Sequence, residues 1–412
     1  MIGAGVFTSS GFALGALGSP DRVVLAWVLG GVIALLGALS YGALAGRLTE
    51  SGGEYLFLSR TLHPLAGFLA GWVSLWAGFT SAIALAAEAT QAYLAPWVPA
   101  AVPPDLVGAA AIVAMGLLHA RGLLLAARAQ TALVALKVLG LLAFLGLGAL
   151  RLPAVPPVSP GAFEVGPFAV TLMWISLGYS GWNAAVYVAG EARAPARTVP
   201  RAMVVGTLVT ALVYVGLNVV FVHAAPFDAL ANQQDVAAVA ARALGGAWLE
   251  GAMRVVVVVA LLTSISSMVM IGPRVYAQMA EDGLFPRRFA FAGVAPTQAI
   301  GLQVALSLGV LFVTDLRAQL TNVGWLLGLF TALSVVGLLC LRRREGAERV
   351  PIPGYPFVPV AFVLSVVTLA GLALQAAGPA LAPAVSVLGS GLLAFRAMAR
   401  RHGPEPGSAD VP

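Results

Sequence analysis

Eleven apolar stretches of about 20 residues recur along the chain, and each is long enough to cross a lipid bilayer as a helix. Hydrophobic residues make up 60% of the chain and charged residues only 10%, a composition outside the range of soluble domains. Because the bilayer interior cannot hydrogen-bond the backbone, stretches of this length are expected to be helical. We therefore predict an all-α polytopic membrane protein. Its full helices are expected near residues 22–46, 64–94, 106–120, 129–150, 167–189, 201–223, 253–274, 297–314, 321–341, 356–375 and 380–397, after a shorter one in residues 1–17.

Arginines predict the orientation of these helices. Seventeen arginines fall in one set of alternate loops and five in the other. The richer set should face the cytoplasm, because basic residues are retained on that side of a membrane. We thus expect a multi-pass protein of the cytoplasmic (inner) cell membrane with its C-terminus in the cytoplasm. The net charge of +6 then reflects loops that face an anionic lipid bilayer, and no nucleic-acid partner is expected.

Lys137 is the only lysine of the chain and lies within the apolar stretch 129–150. If this helix enters the membrane near Arg128, a rise of about 1.5 Å per residue places Lys137 roughly 13 Å deep, near the middle of a ~30 Å hydrocarbon layer. An ammonium group there costs roughly 2.5 to 3.5 kcal/mol and usually faces a polar cavity. We interpret Lys137 as part of an ion or substrate path. The alternative is a lysine that snorkels to a nearby surface.

Two apolar stretches contain glycine interruptions, at Gly3 and Gly5 and at Gly178 and Gly181. Glycine allows the backbone to leave the helix, and the freed polar groups must then line a cavity. Amides at the start of a half-helix suit a carboxylate, whereas exposed carbonyls suit an ammonium group. The two breaks together therefore fit a zwitterion. Close helix packing is the alternative explanation for each glycine pair.

The positions of the two breaks indicate an internal repeat. One break opens the first five helices and the other opens the sixth, as expected for a five-plus-five inverted repeat with its site at the membrane midplane. The expected organisation is a first half with a truncated helix 1 in residues 1–150, a second half in residues 151–345, two C-terminal helices in residues 346–400, and a disordered cytoplasmic tail in residues 401–412.

A series of short motifs extends over most of the chain. They are Ile2 to Phe7, Leu39 to Ala45 with Ser51 to Tyr55, Gln130 to Lys137, Tyr179 to Asn183, Gly190 to Pro195 with Pro200 to Ala202, Arg274 to Pro286, and Pro353 to Pro356. In order and spacing the chain resembles the amino acid, polyamine and organocation transporter superfamily, most closely its bacterial amino acid permeases and L-type amino acid exchangers. The resemblance implies a LeuT-like fold with two extra C-terminal helices.

The resemblance also implies which residues bind substrate. Backbone amides of the first break would meet the substrate carboxylate, and carbonyls of both breaks would meet its amine. The implied substrate-binding residues are Ile2, Gly3, Ala4, Gly5, Val6, Leu177, Gly178, Tyr179, Ser180, Gly181, Trp182 and Asn183. Leu177 stands where many relatives carry a gating phenylalanine, which implies a looser gate or one that lies elsewhere. Trp182 is equally compatible with a packing role.

The lysine of the fifth helix would be the coupling residue in this family. It reaches toward the first helix and toward hydroxyls of the eighth, for which Thr263, Ser264, Ser266 and Ser267 are the candidates. Lys137 would act either as a proton carrier or as a fixed charge in place of sodium. The family's first helix begins upstream of its break, whereas here only Met1 precedes Ile2. We expect Met1 to be an internal methionine read as a start, the alternative being a truncated relative.

We thus predict a secondary amino acid transporter that works by alternating access, as a proton symporter or an exchanger, and not an enzyme. Small neutral amino acids are the expected substrates, because no acidic side chain other than Glu88 lies near the interior of a predicted span. No cofactor or metal is expected. The alternatives are a transporter of polyamines or cationic amino acids, and a non-transporting sensor or inactive relative on the same fold.

Overall fold

The computed structural model describes residues 2–121, 123–154, 161–291, 296–313, 316–377 and 382–401. Within these ranges the regular structure is helical and contains no strand. The α-helices are α1 (Ala4–Leu17), α2 (Pro20–Arg47), α3 (Gly53–Thr61), α4 (Pro64–Val73), α5 (Ala82–Leu94), α6 (Pro104–Arg121), α7 (Leu123–Arg151), α8 (Val165–Tyr179), α9 (Pro195–His223), α10 (Phe227–Leu230), α11 (Val236–Glu281), α12 (Thr297–Val313), α13 (Leu316–Glu345), α14 (Phe357–Ala377) and α15 (Ala382–Arg401).

Four segments of other helical types accompany this set in the described residues, among them short 3₁₀-helices at Ala95–Trp97 and Arg287–Phe289. A π-helical segment, Ser74–Ser81, joins α4 to α5 without a loop, and a 3₁₀-helix, Ala184–Glu191, follows α8 after a turn. Within the described residues, each of the eleven predicted spans falls on a helix or on such a segment. The predicted tail, residues 401–412, lies outside the described residues from position 402 onward.

Seven helices of the described chain are long and apolar enough to cross a membrane. They are Pro20–Arg47, Pro64–Trp97, Pro104–Arg121, Gln130–Arg151, Pro195–His223, Val236–Glu281 and Leu326–Glu345. The predicted spans near 297–314, 356–375 and 380–397 correspond to shorter apolar helices within the described ranges. The predicted span 167–189 is interrupted, because α8 ends at Tyr179. By length and composition the described chain is therefore a polytopic membrane protein, with fewer full spans than the eleven expected.

Large apolar side chains cover the outside of this bundle. Leu139 is 66% exposed and Leu212 is 68% exposed, both near the middle of long helices. By contrast, bulky side chains such as Trp27, Tyr41 and Tyr179 are fully buried inside. An apolar exterior around a packed interior is the distribution expected of a helical bundle that faces lipid.

Helices α2 and α9 each follow one of the predicted breaks, and they pack against each other in antiparallel directions. A Cβ atom on Gly31 would contact Ala211, one on Gly42 would contact Pro200, and one on Gly46 would lie 3.6 Å from the carbonyl oxygen of Ala196. The residue numbers of the partners on α9 fall as those of the glycines on α2 rise, so the two helices run in opposite directions. Small residues on α2 thus allow close contact between helices that occupy corresponding places after the two breaks.

Polar contacts join the helices at both ends of the bundle. At the end that carries α3, Arg47 pairs with Glu345 at 2.6 Å, and Tyr55 donates a hydrogen bond to Asp282. At the other end, which contains Gly18, the backbone amide of Asn232 donates to the carbonyl of Gly11 at 2.8 Å. We refer to these as the α3 end and the Gly18 end.

Candidate functional site

A cavity of about 260 Å³ lies inside the bundle where α1 meets α8. Ligand pockets in proteins commonly measure roughly 300 to 1,000 Å³, so this cavity suits a small solute. Eleven of the twelve predicted substrate-binding residues line it: Ile2, Gly3, Ala4, Gly5, Leu177, Gly178, Tyr179, Ser180, Gly181, Trp182 and Asn183. The structure thus brings the two glycine-containing segments to one place. Val6, the twelfth, is fully buried and does not line the cavity.

The first segment provides backbone amides. Gly3 is extended and precedes α1, whose first residue is Ala4, and no side chain caps this helix start. The carbonyl groups of the first turn are already occupied, because Thr8, Ser9 and Ser10 donate their hydroxyls to Ala4, Gly5 and Val6. The amides at the start of a helix have no partner within the helix, so this segment offers donors to an anion.

The second segment provides carbonyl groups. Helix α8 ends at Tyr179, Ser180 leaves the helical conformation, and Gly181 adopts a φ of 96° that favours glycine. The chain turns through residues 180–183 before the 3₁₀-helix begins at Ala184. An interrupted helix frees carbonyl groups near its end, and such groups can accept hydrogen bonds from an ammonium group.

The two segments touch through their glycines. A Cβ atom on Gly5 would lie 2.2 Å from the Cα atom of Gly178. Real Cβ atoms do not approach backbone this closely, so only glycine fits at position 5 without movement of one helix. The contact places the donor end of α1 next to the acceptor end of α8.

Lys137 reaches into the same cavity from α7 and is 7% exposed. Its Nζ atom donates to the carbonyl of Ile2 at 3.0 Å and to Oγ1 of Thr263 at 2.9 Å. The hydroxyl of Thr263 donates its own hydrogen to the carbonyl of Ala260, so it must accept from the lysine. Lys137 therefore bridges the first break and α11. These acceptors provide the polar surroundings that a buried ammonium group needs.

The four candidate hydroxyls of α11 differ in their surroundings. Thr263, Ser264 and Ser267 line the cavity, whereas Ser266 points away and hydrogen-bonds to Nε2 of His119 at 2.8 Å. Gln130 of α7 donates to Oγ of Ser267 at 2.6 Å and to the carbonyl of Thr263 at 2.9 Å. Gln130 thereby joins α7 to the turn of α11 that contains Thr263, the hydrogen-bond partner of Lys137.

Aromatic residues near the second break are fixed by packing. Tyr179 is fully buried, donates its hydroxyl to the carbonyl of Trp27 at 2.9 Å, and packs in tilted orientation against the rings of Trp27 and Tyr214. Trp182 packs edge-on against Tyr41 and Phe362 and also lines the cavity. Both residues therefore shape the cavity wall, and the packing role considered for Trp182 is present.

Glu54 is a cavity residue that the sequence reasoning missed. It is 4% exposed and lies on α3, outside every predicted span. The expectation that no acidic side chain other than Glu88 lies near the interior was wrong, because Glu54 lines the cavity. A carboxylate that directly follows two glycines, in the motif Ser51 to Tyr55, was the available signal.

Comparisons with known proteins find similar sequences over most of the chain. The family model of the amino acid permeases matches residues 1–395. The large neutral amino acids transporter small subunit 2 of Oryctolagus cuniculus is 26% identical over 383 residues, covering 88% of this chain and 71% of its own length. The Asc-type amino acid transporter 1 of Homo sapiens is 26% identical over 381 residues, with 88% and 73% covered.

A bacterial relative covers a similar share of the chain. The serine/threonine exchanger SteT of Bacillus subtilis (strain 168) is 24% identical over 374 residues, covering 87% of this chain and 84% of the relative. The family match extends over nearly the whole chain, including both glycine segments and Lys137. The chain belongs to the amino acid permease family of the amino acid, polyamine and organocation transporter superfamily.

Proposed function

We propose that the protein is a secondary active transporter of small neutral amino acids in the cytoplasmic membrane. The observation that carries this proposal is the contact between Gly5 and Gly178, which places helix-start amides and freed carbonyl groups side by side in one cavity. A zwitterion needs both kinds of group within the length of one small molecule. The names of the relatives, which specify amino acid transport, support the same substrate class.

The proposed architecture is a five-plus-five inverted repeat, with halves in residues 1–150 and 151–345 and two further helices in residues 346–400. The antiparallel packing of α2 and α9 supports it, since these helices would be equivalent in the two halves. In this arrangement α1 and α8 alternate access by rocking against the surrounding helices. The arginine distribution supports a cytoplasmic location for the α3 end and for the C-terminus.

Neutral substrates remain favoured although Glu54 lines the cavity. Its carboxylate already accepts hydrogen bonds from Tyr41, Asn183 and Tyr187, all of which are neutral. A cationic side chain would have to displace these donors. Transport of cationic amino acids or polyamines is the second candidate, because Glu54 is a carboxylate within the cavity wall.

The test of the proposed function is uptake by the purified protein in proteoliposomes. We expect labelled L-alanine and L-serine to enter in a time-dependent manner, with competition by L-leucine and little competition by L-arginine or putrescine. Uptake of putrescine without uptake of amino acids would overturn the substrate assignment. Binding of amino acids without uptake would instead identify a sensor.

The coupling mode is tested with the same vesicles and the variant Lys137→Ala. An inward proton gradient should stimulate a symporter, whereas internal unlabelled amino acid should stimulate an exchanger. If Lys137 carries the proton, Lys137→Ala abolishes gradient-driven uptake. If Lys137 serves as a fixed charge, the variant spares substrate binding more than turnover. Uptake at the wild-type rate in both formats would remove Lys137 from the mechanism.

A further inference from the structure

Glu54 has an unusual environment for a buried carboxylate. It is 4% exposed and none of the ion pairs among the described residues includes it. A charge in such a position is tolerated only when hydrogen bonds replace the lost water. The residues that provide these hydrogen bonds therefore indicate what the carboxylate is for.

Three neutral donors from separate parts of the fold converge on Glu54. Oε1 accepts from the hydroxyl of Tyr41 on α2 at 3.1 Å and from Nδ2 of Asn183 at 2.6 Å. Oε2 accepts from the hydroxyl of Tyr187 in the 3₁₀-helix. Asn183 and Tyr187 both belong to the chain that follows the second break. Glu54 thus joins this chain to α2 and α3.

This pattern disfavours two direct roles for the carboxylate, as a metal ligand and as a contact for a substrate cation. A bound metal ion needs converging acceptors, whereas the neighbours of Glu54 are donors. A carboxylate offers about four lone-pair directions, and three are occupied, so little capacity is left for a substrate ammonium group. The carboxylate is therefore better suited to link segments of the fold than to bind a ligand.

The chain after the second break needs such an anchor. Gly181 has a left-handed conformation, and the residues that follow it directly form short-range backbone hydrogen bonds, from Ala184 to Gly181 at 3.1 Å and from Val186 to Asn183 at 3.1 Å. Only near the far end of the segment does a backbone amide reach a distant residue, from Gly190 to Oγ of Ser51 at 3.0 Å. Turns of this kind do not fix the direction of the segment by themselves. Side-chain contacts at positions 183 and 187 constrain the first part of the segment, and the ion pair of Glu191 with Arg274 at 2.9 Å constrains its end.

Helix α3 is built to receive this segment. Gly53 has a φ of 59°, and a Cβ atom there would lie 2.1 Å from the ring of Tyr187, so the ring packs directly on the backbone. The neighbouring Tyr55 donates to Asp282 at the end of α11, and burial together with this bond raises the pKa of Tyr55, so its hydroxyl remains a donor. Arg344 donates to the carbonyl of Thr61 at 3.2 Å. These contacts hold α3 as a fixed support.

We propose that Glu54 is a positioning residue for the substrate site, which fixes the chain of the second break through Asn183 and Tyr187. The part of this proposal that concerns substrate rests on the proposed amino acid transport. Glu54 keeps the carbonyl groups of residues 178–180 aimed at the cavity and does not itself contact the substrate. Gly53, on which the ring of Tyr187 packs, and the carboxylate of Glu54 thereby hold the same segment.

The experiment compares Glu54→Ala, Glu54→Gln and the control Glu281→Gln, which removes an exposed carboxylate. Backbone hydrogen exchange of the protein in lipid nanodiscs should rise at residues 181–191 by at least about 5-fold in Glu54→Ala. Glu54→Gln, which keeps the shape and one acceptor, should show a smaller rise, and Glu281→Gln none. Removing a partner of buried polar groups costs enough to weaken L-alanine binding by about 5- to 100-fold, with the order of substrates unchanged.

Unchanged exchange at residues 181–191 in Glu54→Ala would overturn the proposal. A reversed preference between L-arginine and L-alanine in Glu54→Gln, without a change in exchange, would also overturn it by showing direct substrate contact. If Glu54→Ala does not fold, Tyr187→Phe removes one donor and should raise exchange in the same segment. The exchange measurement does not depend on transport, so failure of the wild type to transport amino acids would refute only the proposed function.

Discussion

Gly5 and Gly178 are the residues on which the proposed substrate site depends most directly. Each glycine taken alone fits an ordinary helix contact, and the sequence cannot distinguish that case from a functional break. The structure shows that the two are partners, with no space for a Cβ atom on Gly5. A substitution there must separate α1 from α8 and so disturb the cavity between them.

We predict that Gly5→Ala weakens L-alanine binding by about 10- to 100-fold. The added methyl group overpacks the contact with Gly178, which costs roughly 1 to 3 kcal/mol and pushes the two segments of the site apart. The control is Gly206→Ala in α9, since a Cβ atom at Gly206 meets nothing within 4 Å. Equilibrium binding to the purified proteins measures both. Equal affinity of Gly5→Ala and wild type would argue against a site at this contact.

Single residues also show where sequence reasoning stopped. The depth of Lys137 in an apolar stretch was enough to predict a polar cavity around it, and its contacts with Ile2 and Thr263 fit that prediction. Which of the four nearby hydroxyls faces the cavity depends on the orientation of α11 about its own axis, and no local sequence pattern specifies that orientation. Glu54 was missed because it lies on a short helix between spans and reaches the cavity only through tertiary packing.

At the scale of elements, α1 is held between the break and the Gly18 end by its neighbours. Tyr93 of α5 donates to the carbonyl of Phe7 at 2.9 Å, and the carbonyl of Tyr93 accepts from Arg254 at 3.3 Å. Arg254 is 6% exposed and also pairs with Asp235 at 2.6 Å and with Glu250 at 3.0 Å. A single buried guanidinium thus connects α5, α11 and the residue that precedes α11.

We predict that Arg254→Ala lowers the free energy of unfolding by about 3 kcal/mol, because it leaves Asp235 and Glu250 without their buried partner. Arg242→Ala is the matched control: Arg242 pairs with the same Glu250 at 3.0 Å, but its side chain is 69% exposed. Exposed pairs contribute at most about 1 kcal/mol. Thermal unfolding in detergent compares the two, and an equal loss of stability would contradict the role assigned to Arg254.

Element boundaries were predicted unevenly, for physical reasons. Apolar length located the spans, but α11 extends over 46 residues and bends at Gly245 and Gly246, where the chain leaves helical geometry. The break in α8 was expected at Gly178 to Gly181 and occurs from Ser180 onward. The π-helical segment Ser74–Ser81, which contributes Gly78 and Phe79 to the cavity wall, had no sequence signal. Backbone irregularities of this kind depend on neighbouring helices.

At the scale of the whole molecule, the bundle places one cavity between two interrupted segments and ties the surrounding helices together at both ends. The class of the molecule followed from apolar length and composition, because the bilayer allows few backbone structures. The pairing of α2 with α9 could be expected only from the assumed repeat. Contacts such as Gly31 with Ala211 are long-range and become visible only in three dimensions.

The central claim, that amino acids bind at the two glycine segments, is tested most directly by substrate protection at Ser180. This residue is exposed and lines the cavity, and Cys340 is the only cysteine of the chain. Ser180→Cys in a Cys340→Ser background should react with a membrane-permeant maleimide. We predict that L-alanine slows this reaction at concentrations that saturate binding, whereas putrescine does not. An unchanged labelling rate in saturating L-alanine would place the substrate elsewhere and contradict the account.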